Sequence, residues 1–174
     1  PAYGLTFYRD KEIDYKDYGT TTCSFEDIKQ FYLDAYEVIG DLILVPIALN
    51  NILYRGDFEK INEELISSNR VKNYKDLFNA PKGKRSELVD LNELFCKVTG
   101  IKLNNKLRNA IGHNDYSYDG ITQIITYIPN SSQPEKCKNI YLLEFSLECI
   151  ELIKGIVVID EIIYRVRQFQ YMMD

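Results

Sequence analysis

His113 is the only histidine in the chain, and imidazole is the one side-chain type that ordinarily exchanges protons near neutral pH. Asn109 and Arg108 stand four and five residues before it, in the run Arg108-Asn109-Ala110-Ile111-Gly112-His113. A guanidinium is planar and always protonated, which suits Arg108 to negative charge building on phosphoryl oxygens. An imidazole at the same place can move the proton of a hydroxyl nucleophile or of a leaving oxygen, typically worth roughly 10²–10⁴ in rate. Asn109 can orient the imidazole or hold the phosphate. Catalytic roles are therefore expected at Arg108, Asn109 and His113, with Lys102, Lys106, Asp115 and Tyr116 nearby as substrate-binding residues. Cys23, Cys96, Cys137 and Cys149 form no C-x-x-C pair, and one histidine completes no zinc ligand set of recognisable spacing. They read as reduced core thiols, and neither metal nor cofactor is expected.

How these groups meet depends on the element that carries them. At about 100° per residue, Asn109 and His113 share a helix face while Arg108 lies about 140° from His113. Two arrangements resolve this. Gly112 loosens the last turn so that His113 swings, or a second copy of the chain completes the constellation.

The elements around the motif are read from periodicity. Residues 1–23 have no sustained period and read as an arm, with 24–174 as one helical domain. Ser24 and Asp27 approximate a capping box for a first helix beginning near Phe25, which Gly40 and Pro46 should weaken or kink. Gly56 is the expected stop, and Asp57 a cap for a short helix through Leu65. Ser67 to Lys84 reads as a polar loop with a helical foothold at Tyr74, Leu77 and Phe78 and a turn at Ala80-Pro81-Lys82-Gly83. Leu88, Leu91, Phe95 and Val98 predict an amphipathic helix ending at Gly100, followed by a helix from Ile101 to about Gly112 that carries the motif. Strand-like runs at Ile121–Ile128 and Asn139–Leu143 predict a β-hairpin near 121–143. A final helix from Glu144 to Met173, nearly apolar around Ile156 to Ile163, should be buried on more than one side, with Gly155 a weak point.

Composition bounds the class. The 174 residues are 45% hydrophobic and 27% charged, near globular averages. The most apolar stretch, Leu42 to Leu49, is far short of the ~20 residues a membrane span needs, so no membrane partner is expected, and the reduced thiols point to a cytoplasmic location. The net charge of −5 is unevenly spread. Asn69 to Arg108 holds ten Lys/Arg against four Asp/Glu, and the remainder eleven against twenty-two. This basic segment runs into the motif and reads equally as a phosphate-binding track or as a solvated face.

Arg-Asn-x-x-x-His at the end of a helix, in a mainly α-helical chain, resembles the signature of the HEPN (higher eukaryotes and prokaryotes nucleotide-binding) superfamily, matched by Arg108, Asn109 and His113. The resemblance implies a HEPN-like helical bundle, with the 121–143 hairpin as an insertion. It further implies a metal-independent endoribonuclease, usually a homodimer whose paired motifs face each other, found in toxin–antitoxin and abortive-infection (anti-phage) systems. The implied partners are RNA, a second copy, and an antitoxin or upstream sensor domain. In some such toxins a tyrosine two residues beyond the histidine is a modification target; here that place is Asp115 and the tyrosine is Tyr116, so that mode of neutralisation does not carry over. Other readings stay open: a non-catalytic binding or scaffold domain in which Arg108 and Asn109 cap helices, a small-molecule or nucleotide sensor, and an unrelated helical interaction protein.

Overall fold

The computed structural model describes residues 14–63, 71–86, 88–101 and 103–173. These are mainly helical, with one small antiparallel sheet. The helices are α1 (Phe25–Leu42), α2 (Leu44–Arg55), α3 (Tyr74–Asn79), α4 (Lys82–Ser86), α5 (Leu94–Thr99), α6 (Asn105–Gly112) and α7 (Leu142–Met173). Between α6 and α7 lie the strands β1 (Tyr116–Asp119), β2 (Ile124–Tyr127) and β3 (Lys138–Tyr141). The chain groups into two compact units, one drawn from Pro1–Tyr36 and Asn104–Glu151 and the other from Glu37–Leu103 and Leu152–Asp174.

In the first unit, α1 opens on the expected capping box. Ser24 Oγ accepts from the Asp27 amide (3.2 Å) and donates to the Asp27 carboxylate (2.7 Å). The helix buries Phe25, Ile28, Tyr32, Ala35 and Tyr36, spacings of three and four that line one stripe. Phe145 of α7 meets Tyr32 at 4.7 Å between ring centroids. The sheet has order β1-β2-β3, with Tyr118 opposite Ile125 and Ile125 opposite Ile140. Ile125 and Ile140 are buried. The sheet thus starts earlier than the expected hairpin and has a third strand, because the polar run Tyr116–Asp119 pairs with β2 while Ile121, 95% exposed, is left in the turn. The arm is described from Asp14 onward. It makes a 3-10 turn (Tyr15–Asp17), and the main chain of Thr20 is held at both its N–H and its carbonyl by the Gln123 amide, at 2.7 and 2.8 Å.

The second unit has its own core of Ile43, Leu44, Ile47, Ile61, Val71, Leu77, Leu88 and Cys96. Pro46 does break the first helix: α1 ends at Leu42 and α2 begins at Leu44, since proline cannot donate and its ring crowds the carbonyl four residues back. Gly56 and Gly100 terminate α2 and α5 at φ +70° and +61°, a region costly for a residue with a Cβ. Asp57 caps a turn rather than a helix, accepting from the Glu59 amide at 2.9 Å; the end of the expected helix there lies outside the described residues. Lys82 and Gly83 open α4 instead of completing a turn. The expected helix from Leu88 shrinks to Leu94–Thr99.

Three further expectations need correction. Phe25 to Arg55 is long and apolar enough, by length and composition alone, to cross a membrane, and half of its most apolar window is buried inside the protein. The chain therefore does hold one such stretch, longer than Leu42 to Leu49, because helix resumes beyond Ile43. The last helix is not buried on more than one side: Ile159 is buried, but Val157 is 60% and Phe169 61% exposed. Gly155 is a fitted position, since a Cβ there would stand 2.8 Å from Ile101 Cγ1. Finally, only Cys96 and Cys149 are core thiols; Cys23 and Cys137 are free and exposed.

Candidate functional site

Helix α6 starts at Asn105, not Ile101, because Asn104 supplies its N-cap: the Asn104 side chain accepts from the Leu107 amide at 3.2 Å. Asn104 Nδ2 in turn donates to Glu148 Oε1 of α7 at 3.2 Å. Burial pushes the Glu148 carboxyl above the usual carboxylate range, an effect the Asn104 hydrogen bond partly offsets. The helix is anchored by Leu107, Ala110 and Ile111, all buried. Burying the Leu107 side chain alone is worth roughly 1.5–3 kcal/mol.

The helix closes in a Schellman motif. The Asn114 amide donates to Ile111 O (3.3 Å) and the Asp115 amide to Ala110 O (2.8 Å), with Asn114 left-handed at φ +59°. Gly112 stays helical, so the left-handed residue is Asn114, and the backbone of the polar tail is explained by capping. Asn114 fits because a short amide tolerates positive φ better than most side chains.

Capping and core packing leave the opposite face of α6 polar. Lys106, Asn109 and His113 are all exposed, and at about 100° per residue they fall on one stripe. Arg108 is half-buried. Its guanidinium lies 6.0 Å from the centroid of the buried Tyr36 ring and donates through Nη1 to Asn109 Oδ1 at 3.4 Å. Angularly, Asn109 sits between Arg108 and His113. The Arg108–Asn109 contact therefore draws the guanidinium round the helix toward the histidine side. Tyr36 also donates its hydroxyl to Asn105 Oδ1, which fixes the ring beneath the arginine.

The remaining expected residues scatter. Lys102 lies outside the described residues. Asp115 leads into β1, its carbonyl accepting from the Ile128 amide (3.0 Å) and its carboxylate from Ser131 Oγ (3.1 Å). Tyr116 is engaged by α1: Lys29 Nζ donates to its hydroxyl at 3.1 Å and the Phe25 ring meets it edge-on at 5.5 Å. The basic segment is not one track. Arg85 and Lys82 are held by acceptors of their own unit, among them Asp41 at 2.7 and 2.9 Å.

Asn104, Tyr36 and Glu148 were not expected at the site. Asn104 had a legible signal, an asparagine three residues before the first buried position of the helix; Tyr36 and Glu148 reach it only through tertiary packing. Among the described residues no three His, Cys, Asp or Glu side chains converge as a metal ligand set. The sequence matches no family model, no curated protein and no solved structure.

Proposed function

We propose that this chain is a metal-independent endoribonuclease of HEPN type, acting in the cytoplasm as a toxin or anti-phage (abortive infection) effector. The observation that carries the reading is the arrangement on α6. An exposed imidazole and an exposed amide share one stripe, and the amide draws a guanidinium toward them. Neither core packing nor capping accounts for the side chains of Asn109 and His113.

In this mechanism His113 takes the proton of the ribose 2′-hydroxyl as its oxygen attacks the adjacent phosphorus; the phosphorus–5′-oxygen bond breaks, the departing 5′-oxygen takes up a proton from water, and His113 releases its own to solvent. Arg108 stabilises the charge that gathers on the non-bridging oxygens, and Asn109 holds the phosphate or the imidazole. The products are a 2′,3′-cyclic phosphate and a 5′-hydroxyl. Lys106 adds a phosphate contact on the same stripe. A second copy of the chain brings a second motif to the cleft, and an antitoxin or upstream sensor domain restrains the activity.

The test is incubation of the purified chain with mixed RNA in EDTA, beside Arg108→Ala and His113→Ala. Cleavage by the parent and its loss in both variants supports the reading. Equal cleavage by all three, or none by any, overturns it.

One observation favours a second reading, a non-catalytic binding or scaffold domain. Arg108 is half-buried against Tyr36 and bonded to its neighbour, as a structural arginine would be. In that case Arg108→Ala lowers the melting temperature and leaves an inactive protein inactive.

A further inference from the structure

The end of α7 is helix without packing. Leu152 and Ile159 are buried, whereas every residue from Tyr164 to Met173 is exposed. So short a stretch of helix is marginal in water unless something packs on it. What it offers a partner is ordered. At about 100° per residue, Val157, Asp160, Tyr164, Arg167 and Tyr171 fall in one stripe about 80° wide, on the side away from Leu152 and Ile159. All five are exposed, Val157 by 60%, Tyr164 by 53% and Tyr171 by 82%.

The stripe is nearly symmetric about Tyr164. Val157 and Tyr171 lie seven residues to either side, with an acid, Asp160, on one flank and a base, Arg167, on the other. Neither Asp160 nor Arg167 has an ion pair or hydrogen bond from its side chain among the described residues, whereas the neighbouring Glu161 and Arg165 are bonded to each other at 2.6 Å. The Tyr164 hydroxyl accepts from Gln168 Nε2 at 2.5 Å, which leaves its ring to pack.

This order fits a second copy of the same stripe in one orientation. With two chains antiparallel and their Tyr164 rings side by side, each Val157 meets a Tyr171. Each Asp160 comes within one residue, about 1.5 Å along the axis, of facing an Arg167, and twofold symmetry makes that contact twice. A parallel pair would instead set Asp160 against Asp160 and Arg167 against Arg167. A lipid surface or a purely apolar groove would leave both charges without a partner.

We propose that the end of α7 is a homotypic docking surface, on which a second copy of this chain pairs antiparallel through Val157, Asp160, Tyr164, Arg167 and Tyr171. The surface involves none of Arg108, Asn109 and His113 and does not rest on the ribonuclease reading. From Val157 to Tyr171 the seam is only about 21 Å of helix. Such a small interface pairs weakly and reversibly, with a dissociation constant on the order of 10–100 µM.

The test is the mass of the chain by sedimentation equilibrium across that concentration range. The parent should pass from one chain toward two. Asp160→Arg and Arg167→Asp should each weaken association by about tenfold or more, because each sets like charges together twice. An equimolar mixture of those two variants should associate about as well as the parent, since every contact between them is again acid to base. Phe169→Asp, on the opposite face of the helix, should leave the constant unchanged. All three substitutions are at exposed positions, and circular dichroism checks that the helix content is kept. A parent that stays a single chain, single variants that associate like the parent, a mixture no better than either variant alone, or loss of association in Phe169→Asp overturns the proposal.

Discussion

Arg85 and Arg108 belong to the same basic stretch of sequence, yet their surroundings differ in kind. Arg85 donates to Ala80 O, Gly40 O, Phe78 O and the Asp41 carboxylate at 2.7 to 3.2 Å, and its side chain is only 11% exposed. It is a clamp that satisfies carbonyls which would otherwise be left without a donor. Arg108 is half-buried, rests on an aromatic ring and reaches a neighbouring side chain on an exposed polar stripe. A count of positive charges cannot separate the two, whereas the identity of their acceptors can. Backbone carbonyls and a carboxylate mark Arg85 as a cation committed to folding, whereas the contact of Arg108 with the exposed Asn109 is the one that the proposed reaction would use.

The sharpest way to break this contrast is to remove each arginine. Arg108→Ala should lower RNA cleavage by roughly 10²–10³ while costing less than about 1 kcal/mol of stability. Arg85→Ala should cost about 2–4 kcal/mol, read from the urea midpoint, and leave cleavage per folded molecule near the parent value. A large stability loss in Arg108→Ala with no catalytic change would erase the distinction.

The two ends of α6 offer a finer comparison. Asn114→Val should destabilise by about 1–2 kcal/mol because a β-branched residue resists positive φ, whereas Asn114→Gly should be close to neutral. Asn104→Ala should cost about 1 kcal/mol through loss of the N-cap. Equal effects of valine and glycine at 114 would mean that the Asn114 side chain, not its backbone, is what matters.

The smallest effect concerns pH. The Glu148 carboxyl titrates higher in the folded chain than in the unfolded one, so the folded state binds more protons between those two values. Stability is thus greatest below the unfolded value of about 4.3 and declines as pH rises to the raised folded value. Glu148→Gln keeps an acceptor for Asn104 and should be slightly more stable than the parent at pH 7, the difference vanishing near pH 4. Denaturant melts at the two pH values check this; a variant less stable at pH 7 would contradict it.

Helix starts and stops with local causes were legible in the sequence. The Ser24–Asp27 box, the break at Pro46 and the stops at Gly56 and Gly100 each act through a few neighbouring bonds. The final helix also lies where periodicity placed it, and the motif helix ends where expected though it starts four residues late. What failed had non-local causes. Strand β1 is four residues long with no aliphatic side chain, so its alternation of Tyr116 and Tyr118 with Ser117 and Asp119 is easily passed over, and it exists because β2 offers it a ladder. Leu88 and Leu91 have helical spacing but stand in turns, Leu88 being drawn into the core of its unit. Residue types and spacing made Arg108, Asn109 and His113 candidates, while the path of Arg108 past Asn109 and the support from Tyr36 needed coordinates. Asp115 and Tyr116 were candidates because they are polar and adjacent, and their bonds to Ser131 and Lys29 could not be read locally.

The central claim is that His113 and Arg108 act on a ribose 2′-hydroxyl without a metal. Its most direct test is the chemistry of the cut ends when the parent chain cleaves a defined oligoribonucleotide in EDTA, alongside the same oligonucleotide carrying 2′-O-methyl groups. A 2′,3′-cyclic phosphate and a 5′-hydroxyl, with the methylated strand intact and both products absent in His113→Ala, is the result the account predicts. Ends bearing a 5′-phosphate, or cleavage of the methylated strand, would contradict it.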